Sequence, residues 1–231
     1  MQFNLPNEEK MEKKRHEELA EEHLKNLGKE SHTIISNQLN KTVLIDSEKE
    51  ILAKEQCIIN KTLVGTYRLD KIRSRKVIYH AYSGCFSEAL TASIKDNPLL
   101  STILAQYFDG FDYSLTAEVF WINQGGMAIQ PHQDRSYDSE KQLSIIVPLS
   151  LNIDSKYAMS YSGVEEGTML DHNFSISNMV YYAKSIQQYA FSANYRPTDI
   201  ILHTEYSLHK SRSMPRDGKR ITYARYVARK E

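Results

Sequence analysis

Cysteine is nearly missing from this chain: Cys57 and Cys85 are the only two in 231 residues. Two thiols cannot make a disulfide scaffold, and a chain of this length draws its stability from a buried core instead. A reducing, cytoplasmic setting is the expectation. Long apolar runs are missing too. No stretch approaches the roughly 18 consecutive apolar residues that a membrane-spanning helix requires, and the opening MQFNLPNEEK lacks the apolar centre of a signal peptide. Neither sign of charge dominates, with 29 Lys+Arg against 29 Asp+Glu. The chain as a whole therefore has no field to gather nucleic acid or anionic lipid. Repeats, low-complexity tracts and linkers are absent as well, so residues 1–231 read as one domain.

What is present is apolar and aromatic material: 41% hydrophobic residues, including 15 Tyr and 7 Phe. That excludes a disordered chain. Residues 8–30 are rich in Glu, Lys and Arg with sparse leucines, and predict a solvated helix ending near Gly28. Ser47 and Glu50 form a capping-box pair that predicts a helix over 48–57. Helices are also predicted over 87–94 and 97–108, the second with Pro98 at its first position and Asp109-Gly110 at its end. After residue 113 short Val-, Ile-, Tyr- and Thr-rich runs alternate with turn residues. They predict strands at 115–123, 127–134, 142–149, 167–170, 178–184, 199–204, 207–212 and 219–228. The expected fold is mainly β with flanking helices, with a largely helical and extended support region over 1–112 and a β core over 113–229.

Pro131-His132-Gln133-Asp134 closes one of these predicted strands. Residues i and i+2 of a strand share a face, so His132 and Asp134 aim at one point. An imidazole and a carboxylate there make two-thirds of a 2-His-1-carboxylate triad, which leaves metal positions open for substrates and oxygen. Alone, such a triplet is common, and a strand-end His beside an Asp needs no metal. A second group lies downstream: Asp199-Ile200-Ile201-Leu202-His203, then Leu208-His209, then Lys219-Arg220-Ile221-Thr222. Arg220 and Thr222 share a face by the same rule, and a guanidinium fork beside a hydroxyl suits a carboxylate. Antiparallel pairing across the turn at 214–218 is expected to bring that clasp close to His209.

This layout resembles the iron(II)- and 2-oxoglutarate-dependent dioxygenase superfamily, in particular its phytanoyl-CoA dioxygenase-like or related small-molecule hydroxylase branch. The resemblance covers roughly residues 115–228. It implies a double-stranded β-helix core (jelly-roll or cupin-like), with His132, Asp134 and His209 as catalytic ligands of Fe(II). Arg220 and Thr222 would hold the far carboxylate of 2-oxoglutarate. Pro197-Thr198-Asp199 stands where the family often has Pro-Gly-Asp. Asp134 supplies the carboxylate that the related halogenases replace by Gly or Ala, so oxygen insertion is the implied outcome. His203 competes with His209 for the distal place, but Arg220 follows His209 at the family's customary spacing.

Other residues fill in around that constellation. Asn123 is the polar candidate to meet the oxalyl end of 2-oxoglutarate, with a turn-capping side chain as the plainer account. Trp121 and Arg135 are the substrate-side candidates, against core filler and a salt-bridged arginine. Lys210, Arg212, Arg216 and Lys219 form a basic rim around the last turn. Tyr79, Tyr82, Tyr107, Tyr113, Tyr137, Tyr157 and Tyr161 are available for a lid. His172 falls in a polar loop-like stretch, and His16, His23 and His32 read as solvent-facing. The resulting expectation is an oxygenase using O2 on a polar small molecule such as an amino acid or derivative, with no membrane partner and the oligomeric state open. A peptide or nucleic-acid oxygenase or demethylase, or a non-catalytic β-sandwich binding module, are the alternatives. Nucleic acid is disfavoured by the neutral charge, and tight Fe(II) binding separates an enzyme from a module.

Overall fold

The computed structural model describes residues 5–59, 79–82, 87–124, 131–133, 141–149, 157–165, 189–192, 194–212, 215 and 218–230. The predicted strands at 167–170 and 178–184, and most of that at 127–134, lie outside these residues. So do His172, Tyr137 and Arg216.

Helix α1 spans Leu5–Glu30. Its contact edge is narrow, as its sparse leucines require: Ala20 and Leu27 are buried, Leu19 and Leu24 pack against the core, and the helix rests on α4. The Lys13–Glu17 and Lys14–Glu18 pairs, at 4.0 and 3.8 Å, sit exposed on its outer side and contribute little. Helix α2 spans Lys41–Ile59, longer than the predicted 48–57. The capping-box reading fails because Asn40 takes the capping place, its Oδ1 accepting the Thr42 N–H at 2.8 Å. Ser47 is instead buried within the helix and donates to Ser87 Oγ at 2.9 Å. Val43-Leu44-Ile45 is thus helical, with Leu44 in the core.

Helices α3 (Glu88–Lys95) and α4 (Pro98–Tyr107) form where predicted. Ser87 and Asn97 cap them by accepting the Leu90 and Leu100 N–H groups. At the end of α4 the Gly110 N–H reaches the Ala105 carbonyl and the Asp109 N–H that of Gln106. This is a Schellman closure, with Asp109 (φ 55°) in the left-handed place usually held by glycine.

The strands are β1 (His32–Ile35), β2 (Tyr79–Tyr82), β3 (Tyr113–Gln124), β4 (Gln142–Pro148), β5 (Met159–Ser162), β6 (Ile200–His203), β7 (Leu208–Ser211) and β8 (Lys219–Arg229). Six form one antiparallel sheet in the order β1-β6-β4-β8-β3-β2, while β5 and β7 pair in a second. Strands β1 and β5, each four residues long, went unpredicted because so short a run carries little periodicity.

Among the described residues both sheets are open: the larger one ends at β1 and β2, which do not pair with each other, and neither sheet curls into a barrel. The double-stranded β-helix, jelly-roll or cupin-like core expected from the resemblance is therefore corrected to a mixed α/β fold with two open sheets. Strand count is legible in a sequence; which edges meet is a long-range matter of pairing.

Alternation along β4, β6 and β8 gives the large sheet two apolar faces. Leu143, Ile145, Val147, Ile200, Leu202, Ile221 and Tyr223 join the helices in the main core. Ile146, Ile201 and Ala224 face the other way, toward Tyr161 of the small sheet. The site lies in this second layer.

Candidate active site

The small sheet carries His209, and His132 bridges to it. His209 of β7 pairs on one side with Tyr161 of β5 and on the other with His132. His132 N–H donates to the His209 carbonyl at 3.0 Å, and His209 N–H returns the bond at 2.9 Å. Directly opposed residues of an antiparallel pair project to one face, and the two rings lie 4.2 Å apart, centroid to centroid, inclined by 55°. Beyond Tyr161, Ser192 adds a further bridge, with reciprocal bonds of 2.8 and 2.9 Å.

Local hydrogen bonds select the tautomer of His209. Its Nδ1 is 3.1 Å from the Ser207 carbonyl. A carbonyl only accepts, so Nδ1 carries the hydrogen and the neutral ring presents its lone pair at Nε2, the form a metal ligand requires. His203 makes the equivalent bond to the Thr204 carbonyl at 3.1 Å. Its ring lies 5.2 Å from that of His209, and it is buried at the end of β6. Asp134, the third predicted ligand, lies outside the described residues, as does Arg135. Among the described residues no three His, Cys, Asp or Glu side chains form a metal-binding group. The donor chemistry of the histidine pair fits a borderline divalent metal, with a carboxylate required to complete it.

Arg220 and Thr222 occupy the large sheet. Both are buried, at 4% and 8% exposure, and both line a small cavity of about 20 Å³ between the sheets. The i, i+2 rule thus places them together. The pairing expected across the 214–218 turn is corrected: β7 and β8 belong to different sheets, and β8 runs between β4 and β3. The Arg220 Nη1 donates to the Tyr157 carbonyl at 2.9 Å. Asn123 and Trp121 stand in register with Arg220 and Thr222 respectively on the neighbouring strand β3.

Two tyrosines connect the halves. Tyr161 is 3% exposed and has ring contacts of 5.8 Å with both His203 and His209, 5.4 Å with His32 and 6.2 Å with Tyr195. Tyr195 in turn lines the cavity beside Arg220. Tyr161 is one of seven tyrosines that the sequence does not tell apart, and Tyr195 sits in an irregular stretch with no motif around it. Only its nearness to Pro197-Thr198-Asp199 marked it. His32, read as solvent-facing, instead stacks on Tyr161, and His23 lies 2.9 Å from Thr33 Oγ1. On the basic rim Arg212 is exposed, while Lys210 lies 3.8 Å over the Phe191 ring.

No protein-family model matches the chain, and no curated protein matches it in sequence. Its fold, however, is similar to several solved structures. SnoN, the non-heme α-ketoglutarate-dependent epimerase of nogalamycin biosynthesis, matches with a TM-score of 0.64 and 12% identity, covering 91% of this chain and 81% of that one. SnoK, the non-heme α-ketoglutarate-dependent carbocyclase of the same biosynthesis, gives 0.65 and 13%, covering 90% and 83%. A prolyl-4-hydroxylase of Pseudomonas putida gives 0.54 and 12%, covering 92% and 100%. At these identities the likeness is one of fold. Nothing in that likeness selects the phytanoyl-CoA dioxygenase-like branch. Among the described residues no helix is long and apolar enough to cross a membrane.

Proposed function

We propose that this protein is an Fe(II)- and 2-oxoglutarate-dependent oxygenase that hydroxylates a polar small molecule such as an amino acid or a derivative. The observation that carries the reading is the His132–His209 ring pair, linked through Tyr161 and Tyr195 to a cavity walled by Arg220 and Thr222. His132, Asp134 and His209 would hold the iron. Arg220 and Thr222 would hold the distal carboxylate of 2-oxoglutarate, and Asn123, in register with Arg220, is the candidate for its oxalyl end. When bound, iron and 2-oxoglutarate supply an oxidant derived from O2, with the cosubstrate released as succinate and CO2.

The chain's own contribution is placement. The Ser207 carbonyl holds His209 in the tautomer a metal accepts. The fork of Arg220 is desolvated on an apolar wall, where a carboxylate interacts with it more strongly than in water. Trp121 and Arg135 are the proposed substrate-side residues. The small-molecule reading is supported by the likeness to SnoN and SnoK, enzymes from nogalamycin biosynthesis. A cytoplasmic location is proposed from the scarcity of cysteine.

Anaerobic addition of Fe(II) and 2-oxoglutarate is expected to give the weak visible absorption of the chelate. His132→Ala, Asp134→Ala and His209→Ala should each abolish it, while His203→Ala should leave it. A wild-type protein without the band defeats the proposal, and a band that survives His209→Ala but not His203→Ala moves the distal ligand to His203.

A further inference from the structure

We infer that Gln133, the residue between the two proposed ligands of the His-x-Asp triplet, is a positioning residue whose side-chain amide ties the His132 segment to the corner that orients the His209 ring. The inference rests on the function proposed above and extends it to a residue to which that reading gives no role.

The strand rule that puts His132 and Asp134 on one face sends Gln133 to the other. Its side chain is buried, at 4% exposure, and a buried primary amide is costly unless it is hydrogen-bonded. The Gln133 Nε2 donates to the Tyr206 carbonyl at 2.6 Å. Tyr206 belongs to Thr204-Glu205-Tyr206-Ser207, the four residues that carry the chain from β6 of the large sheet to β7 of the small one. The Ser207 N–H closes this corner by donating to the Thr204 carbonyl at 3.1 Å. The Thr204 N–H, donating to the Ser31 carbonyl at 2.9 Å, anchors it to the residue that follows α1.

The peptide between Tyr206 and Ser207 is therefore pinned at both ends, its carbonyl by Gln133 and its N–H by Thr204. The next carbonyl along, that of Ser207, is the one that meets His209 Nδ1 at 3.1 Å. A twist of the pinned peptide would turn that carbonyl, and the ring with it. The two backbone bonds between His132 and His209 form an isolated bridge. Such a bridge sets the separation of two segments but resists rotation about itself weakly. The Gln133 bond lies off that hinge. With it, the His132 segment, the corner and the His209 ring move as one body, and both imidazoles are held in place before a metal arrives.

Gln133→Met keeps the length and bulk of the side chain and removes the donor. Asn97→Ala, which deletes the α4 cap, loosens the protein elsewhere and serves as the comparison. In metal-free protein with isotope-labelled histidine, nitrogen NMR in mildly alkaline buffer reads the tautomer of neutral imidazoles. His209 should be a single Nδ1–H form in wild type and a mixture of both forms in Gln133→Met. Cobalt(II), followed by its visible absorption, should bind Gln133→Met about tenfold more weakly than wild type. Asn97→Ala should match wild type in both readouts. In wild type itself the Gln133 side-chain hydrogens should exchange slowly with solvent, a measurement that needs no variant to fold. The inference is overturned by an unmixed His209 signal in Gln133→Met, by the same changes in Asn97→Ala, or by free exchange of the Gln133 amide. Equal cobalt affinity, where wild type binds cobalt, overturns it as well. A wild type that binds no cobalt, with the tautomers still mixed by Gln133→Met, would remove the metal reading and leave the positioning of His209 standing.

Discussion

His23 shows how burial of one side chain becomes a property of the whole protein. It lies on the inner side of α1 against Thr33, where burial lowers its pKa below 6.5 and the neighbouring Glu22 carboxylate opposes the shift. The folded protein therefore binds this proton less readily than the unfolded chain does. Its contribution to stability is present in full above the unfolded value and is lost as pH falls through that value toward the lower folded one. Urea denaturation between pH 7.5 and 5 should show stability falling on acidification, with a shallower fall in His23→Gln. Identical slopes would refute the assignment. His23 and His32 looked like surface residues because their neighbours in sequence are charged. Their actual surroundings, Thr33 for one and Tyr161 for the other, come from β1 and β5 and leave no mark on local composition.

At the scale of elements, the connection entering β6 depends on Asp199, which is 2% exposed. Its carboxylate satisfies the N–H groups of Arg196 and of Asn37, the latter in a left-handed turn at φ 56°. The Thr198 carbonyl accepts from Gln38 and Leu39 as well, so this short stretch ties the start of the chain to its distal half. Asp199→Ala leaves buried donors without their charged partner and should cost about 2–4 kcal/mol, read as a lower urea midpoint. An unchanged midpoint would show that the bonds are dispensable. The elements best read from sequence are those that local chemistry decides: α3 and α4 have side-chain caps, and β4 and β8 alternate over many residues. Ser47 and Glu50 satisfied the same local rule yet fell inside α2, because Asn40 stands earlier and supplies a cap of equal quality.

For the molecule as a whole, the larger sheet takes both of its edge strands, β1 and β2, from residues before 113. The N-terminal part thus completes the sheet as well as covering it. Strand β1 covers the edge of β6 through the pairs His32–His203 to Ile35–Ile200, and Leu27, Ile35 and Leu44 belong to the main core. Deleting residues 1–36 would uncover a strand edge next to apolar side chains, an arrangement prone to association. The shortened chain should lose its cooperative thermal transition and aggregate. Retention of a sharp melt near the wild-type temperature would show that the remaining strands are self-sufficient.

The sequence by itself determined which candidate side chains the chain offers: a His-x-Asp triplet, a later His, and an Arg with a Thr two positions on. It also determined that Arg220 and Thr222 share a face, because strand geometry is local and repeats every second residue. Tertiary structure alone decided that the sheets stay open, that β7 and β8 lie in different sheets, and that Tyr161 and Tyr195 stand between the histidine pair and the arginine. Those outcomes depend on contacts between segments far apart in the chain. Their energies come from shared burial and edge pairing, which no local pattern encodes.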